Sequence, residues 1–241
     1  MNRATSNVLE YLEHSAERYP DKTAFEDEKK TSTYRETWEA ARRIGSALAG
    51  MSEARRPIPV LGEKSVETVQ TFFGIVNAGC FYILLDPKQP VSRLQQILKT
   101  LDATLLVVMS EDHRKTADAL GFDGKIVYYE QMKDSEEDGD VLDVIRANAA
   151  DVDTVVCEFY IRFHGNFRKV LLSAIDTVID FMEYFPELFE ITEEDVIGNQ
   201  APFDFDVSVK DIYATLKTGA TMVMIPKQYF SFPTKTFGLS L

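Results

Sequence analysis

Between Pro57 and Pro87 the chain reads PIPVL, then SVETVQTFFGIVNAG, then CFYILLDP. The outer pieces are short apolar runs bounded by turn residues, which predicts strands. The middle piece reads as a helix from Ser65 that ends at Gly79. A strand, a helix and a second strand in this order require a right-handed crossover, and therefore a parallel sheet.

The alternation continues downstream. VSRLQQILKTL predicts a helix, TLLVVM a strand, HRKTADALG a helix and KIVYYE a strand, so the chain is expected to build a doubly wound α/β sheet. Upstream, Asn7 with Glu10 forms a candidate capping box for a helix from Val8 to about Arg18, which Pro20 stops. Thr33 with Glu36 gives a second box. It opens a helix whose stripe of Tyr34, Trp38, Ala41, Ile44 and Leu48 reads as core packing, and Gly50 closes it. MKDSEEDGD, residues 132–140, has no apolar period and reads as an exposed loop or a boundary between layers; Glu136, Glu137 and Asp138 read as solvated charge rather than as metal ligands. Further on, VIDFMEYFPELF predicts a helix broken near Pro186. DVIGNQAPFDFDVSV leads from a strand into a turn, Ser208 with Asp211 is expected to cap DIYATLKTG, and ATMVMIP is one more strand.

Composition excludes several function classes. A net charge of −13 repels polyphosphate, so nucleic acid and anionic membrane surfaces are poor partners. The two cysteines, Cys80 and Cys157, are too few for a disulfide framework and form no metal-type pair, so no metal site is expected; Cys157 reads as a buried inert thiol. The N-terminus lacks an uncharged apolar core and no run is long enough to span a bilayer. These features predict a cytoplasmic chain.

Three pieces, in order, resemble the adenylate-forming superfamily, above all the amino-acid adenylation domains of nonribosomal peptide synthetases and the D-alanine–carrier-protein ligases. STYRETWEAARRIGSALAG is similar to the family's early Thr-Tyr-x-Glu-Leu helix. VNAGCFYILLDPKQPVSRLQQIL is close to its Ala-Gly-x-x-Tyr-x-x-x-Asp-Pro motif, and APFDFDVSVKDIYATLKTGA to its Phe-Asp-x-Ser motif. The resemblance covers nearly the whole chain. It implies the N-terminal, AMP-binding part of that fold over residues 1–241, with the C-terminal lid domain absent. It also implies ATP and Mg as cofactors, an amino acid as substrate and a carrier-protein phosphopantetheine thiol as acceptor. Asp206 matches the family aspartate that pairs with the substrate's α-ammonium group, and Val207 and Lys210 match further pocket positions. On composition alone, Asp206 and Ser208 read as serving the start of the next helix, and the motif context favours the substrate reading for ancestry.

One segment departs from the pattern. Where the family carries Thr-Ser-Gly-Ser-Thr-Gly-x-Pro-Lys-Gly, a loop whose glycines and hydroxyls close on ATP phosphates, this chain reads IRFHGNFRKV. Gly165 and Lys169 remain as positional remnants of the phosphate loop, but the hydroxyl run is gone and Phe163 and Phe167 stand in it. The loop is not expected to cradle phosphate, and no catalytic residue is assigned. The genetic code offers a cause. Shifted one nucleotide downstream, codons for Val156 to Asn166 can spell Tyr-Val-Asn-Phe-Thr-Ser-Gly-Ser-Thr-Gly. Shifted once more, those for Asn166 to Asp176 can spell Leu-Pro-Lys-Gly-Val-Leu-Val-Ser-His-Arg. Residues 155–176 are therefore read as an out-of-frame phosphate loop with the frame restored near Val178, which leaves His164 and Arg162 without a selected role. The end at Leu241 reads as a stop in the wrong frame after Lys235. The expected function is a truncated, inactive relative of an ATP-dependent amino-acid-activating ligase. The alternatives are a non-catalytic interaction or regulatory module that keeps the fold, and an active ligase whose recorded sequence carries frameshifts. In either case VVCEFYIRF keeps enough β-favouring residues to fill a strand position.

Overall fold

The computed structural model describes residues 5, 7–149, 157–163, 166–172, 175–205, 207–226 and 229. In chain order the elements are α1 (Leu9–Arg18), β1 (Thr23–Glu26), β2 (Thr31–Thr33), α2 (Tyr34–Leu48), β3 (Pro57–Leu61), α3 (Val66–Asn77), β4 (Phe81–Leu85), α4 (Val91–Leu101), β5 (Leu105–Val108), α5 (Arg114–Ala119), β6 (Lys125–Tyr128), α6 (Tyr129–Met132), α7 (Gly139–Ala149), β7 (Cys157–Phe163), β8 (Asn166–Leu172), α8 (Ile175–Leu188), β9 (Val196–Asn199), α9 (Val207–Thr218) and β10 (Thr221–Met224). The α/β class and the repeated strand–helix units are as expected. The strands fall into two sheets, however, where the sequence suggested one.

The larger sheet has the order β6-β5-β3-β4-β7-β8, parallel throughout except for the antiparallel pair β7 and β8. It is doubly wound about β3. Alternate residues of its central strands enter two separate cores: Ile58, Val60, Tyr82, Leu84, Leu105 and Val107 face one, and Leu61, Phe81, Ile83, Leu85, Leu106 and Val108 face the other. The second core is closed by Leu94, Ile97, Leu98 and Leu101 of α4 with Ala117 of α5. Continuous apolar strands are what a sheet covered on both faces requires.

The smaller sheet has the order β2-β1-β10-β9. The β1–β2 hairpin was missed in the sequence because its strands hold only four and three residues. Here α3 earns its all-round apolar character: it lies in the main core, which also takes in Phe25 of β1 and Met222 of β10, and every one of its residues except Glu67 is buried. Its neighbour α2 starts with the expected reciprocal cap, Thr33 Oγ1 accepting from the Glu36 N–H at 3.2 Å and Glu36 Oε2 from the Thr33 N–H at 2.8 Å. The Tyr34, Ala41, Ile44 and Leu48 stripe is buried, with Trp38 packed at its edge.

Three expectations are corrected. The charge run at 132–140 gives way to helix already at Gly139, because VLDVI supplies an apolar side that α2 and α3 receive. Pro186 does not break α8. The carbonyl its missing N–H would have bonded, that of Met182, instead accepts from Lys217 Nζ at 2.8 Å. Ser208 does not cap α9 from outside. It lies within the helix, buried, and its hydroxyl donates to the Phe205 carbonyl at 2.7 Å.

Candidate functional site

The carboxyl ends of β9 and β10 meet the turn that follows β3, so the two sheets touch where open α/β sheets present their ligand crevice. Lys64, in that turn, donates to three oxygens: the Asn199 carbonyl at 3.1 Å, Asn199 Oδ1 at 3.1 Å and the Ile225 carbonyl at 3.0 Å. Asn199 is fully buried and passes the connection on, its amide donating to Asp211 Oδ2 at 2.9 Å. The other oxygen of Asp211 takes Lys210 Nζ at 2.5 Å. This chain of four residues links the larger sheet to the smaller sheet and to α9. Burial pulls the Lys64 ammonium down to about 8, with Asp211 opposing the fall.

An aromatic floor lies beside it. Phe72 and Tyr82 stack at 3.9 Å, Phe203 tilts against Phe72 at 5.8 Å, and Lys64 Nζ sits 5.9 Å from the Phe203 ring. Gln89, after β4, donates to Asp204 Oδ2 at 3.0 Å and pins the loop before α9 to the larger sheet.

The residues expected to hold a substrate group here in part. Val207 opens α9 and is half exposed, and Lys210 follows one turn later with Phe185 of α8 at 5.9 Å from its Nζ. Asp206 lies outside the described residues. So does Gly165. Lys169 is on β8, paired in register with Tyr160 of β7. Lys169 thus lies on an edge strand of the larger sheet, and Val207 and Lys210 lie on α9. Sequence reasoning missed Lys64, Asn199 and Asp211 as a unit, because they lie on a turn, a strand end and a helix far apart in the chain.

The register of β7 and β8 runs from Cys157↔Leu172 to Phe163↔Asn166, which leaves two residues between the strands. Among the described residues no group of three or more histidine, cysteine or acidic side chains is placed to hold a metal ion. Nor is any helix among them long and apolar enough to cross a membrane.

Residues 12–158 match the family model for AMP-binding enzyme, which is more than half of the chain. The chain belongs to this family. Among curated proteins, it resembles the D-alanine--D-alanyl carrier protein ligase of Bacillus velezensis, 30% identical over 233 residues that cover 95% of this chain and 45% of that protein. It also resembles a mycosubtilin synthase of Bacillus subtilis, 28% identical over 220 residues, 91% of this chain and 8% of that protein. The chain spans about half the length of the ligases it matches. Among solved structures, the nonribosomal peptide synthetase FmoA3 superposes with a TM-score of 0.76 at 22% identity, over 91% of this chain and 23% of that one. VinN in complex with 3-methylaspartate superposes at 0.75 and 17% identity, over 90% and 61%. These likenesses establish the fold: the chain has the N-terminal portion of the fold seen in adenylate-forming enzymes.

Proposed function

We propose that this chain is a non-catalytic derivative of an amino-acid-activating ligase, one that keeps the substrate side of the site and has lost the phosphate side. The observation that carries the reading is the β7–β8 pairing. A phosphate cradle needs successive N–H groups turned toward one point, as in a turn or nest. In an extended ladder they alternate sides, and here fourteen residues are committed to seven pairs. The arrangement does not fit a triphosphate, so no step through ATP or its Mg ion is derived. In support, the family match ends at Glu158, the second residue of β7.

On the substrate side, Asp206 is assigned to the α-ammonium group of an amino acid, a charge-assisted pair across the start of α9. Val207 and Lys210 would line the side-chain pocket, and the ancestral acceptor would have been the thiol of a carrier protein. The out-of-frame origin of residues 155–176 accounts for a loop lost abruptly between two sound motifs.

ATP–pyrophosphate exchange with each of the common amino acids tests the proposal. No exchange above background is expected from this polypeptide, and measurable turnover would overturn the assignment. The nucleotide sequence of the locus tests the origin separately: codons unable to encode the motif in either shifted frame dismiss it.

A further inference from the structure

Helix α8 and the turn after it carry an exposed aromatic ridge that the reading above does not use. Phe181, Tyr184, Leu188 and Phe189 are 46%, 69%, 77% and 61% exposed. The rings of Phe181, Phe185 and Phe189 follow one another at 5.0 and 4.9 Å, so the side chains form one continuous strip. The opposite side of the helix is anchored: Val178, Ile179 and Met182 are buried, Lys217 holds the Met182 carbonyl, and Lys217 pairs with Glu183 at 2.9 Å. The ridge is therefore presented by a fixed helix. Monomeric surfaces seldom leave several large apolar side chains contiguous without a partner.

The charge around the ridge selects the partner. Between Thr177 and Asp195 the chain carries seven carboxylates and no lysine, arginine or histidine. Asp180, Glu183, Glu187 and Glu190 are exposed along α8 and just past its end. A second copy of the same face would bring carboxylates against carboxylates. We propose that the α8 ridge is a docking surface for a basic amphipathic helix of another protein, whose apolar stripe covers Tyr184 and Leu188 while flanking lysines or arginines meet the carboxylates.

The test uses a synthetic amphipathic peptide with a leucine stripe flanked by lysines, and its counterpart with the same stripe flanked by glutamates. Saturable 1:1 binding of the first by the whole chain is expected, weakening as salt is raised. Leu188→Glu should weaken it roughly tenfold or more, as removal of a central apolar anchor does. Both positions are exposed, so Leu188→Glu and Tyr184→Gln leave the core intact. Equal affinity for the two peptides, no binding of the lysine peptide, or binding unchanged by Leu188→Glu each overturns the proposal. So does a free chain that sediments as a dimer and becomes monomeric on Leu188→Glu, which would assign the ridge to a second copy.

Discussion

At the scale of single residues, the site depends on one lysine whose proton is held less firmly than usual. Lys64 is drawn down to about 8 from its ordinary 10.5, chiefly by burial. The charged group that acts on it is Asp211, already shared with Lys210. Between pH 8 and 10.5 the unfolded chain keeps a proton that the folded chain has released. The unfolded state then binds more protons, so the stability due to this residue rises with pH across that window and is lowest below it. The expected outcome is a urea midpoint whose change from about pH 7.5 to 9.5 is less positive in Lys64→Met than in the unsubstituted chain. Identical pH dependence in the two proteins would show that the lysine does not titrate there. Nothing in the local sequence forecasts this. GEKS reads as an ordinary turn, and the groups that make Lys64 unusual, Asn199 and Ile225, lie 135 and 161 residues away.

At the scale of elements, what could be read from the sequence is what local chemistry decides. The Thr33 and Glu36 box, the strand at Pro57–Leu61 and the helix at Val91–Leu101 are where pattern and propensity place them, because caps and periodicity act within one turn. Two failures came from side-chain bonds that periodicity does not encode, one to a partner distant in sequence and one within the turn before α9. The break at Pro186 is compensated by a lysine on α9, and Ser208 is drawn inside its helix while Asp211 is claimed by Asn199. The closest helix crossing was equally hidden. Gly45 of α2 and Gly74 of α3 face each other: a Cβ added at Gly74 would lie 2.5 Å from Ile44 Cγ2 and 3.3 Å from the Ala41 carbonyl. In an exposed helix Gly→Ala gains about 1 kcal/mol of propensity. Here overlap with a β-branched side chain packed against backbone outweighs that gain, since overpacking costs about 1–3 kcal/mol. Gly74→Ala should therefore lower the denaturation midpoint, and a raised midpoint would mean that the two helices can move apart freely.

At the scale of the whole molecule, the residues that match the family's motifs fall on separate elements, Lys169 on β8 and Val207 and Lys210 on α9. The Phe-Asp motif was legible because its neighbours in sequence define it. The β7–β8 pairing was only half legible: the β-favouring residues predicted a strand, and only the structure supplies its antiparallel partner and register. The two cores also differ in kind. α3 is buried along nearly its whole length and joins residues of both sheets, whereas α4 and α5 close a smaller core on one face of one sheet. Opening the first requires parting both sheets. Opening the second requires only lifting an outer layer, and so exposes less apolar surface and costs less free energy. Native-state hydrogen exchange should accordingly find α3 amides exchanging only through global unfolding, with a denaturant dependence equal to that of the whole chain. Amides of α4 and α5 should exchange through a smaller opening with a shallower dependence. If α4 matches α3 in both protection and slope, the outer layer is not a separate unit, and the molecule opens only as a whole.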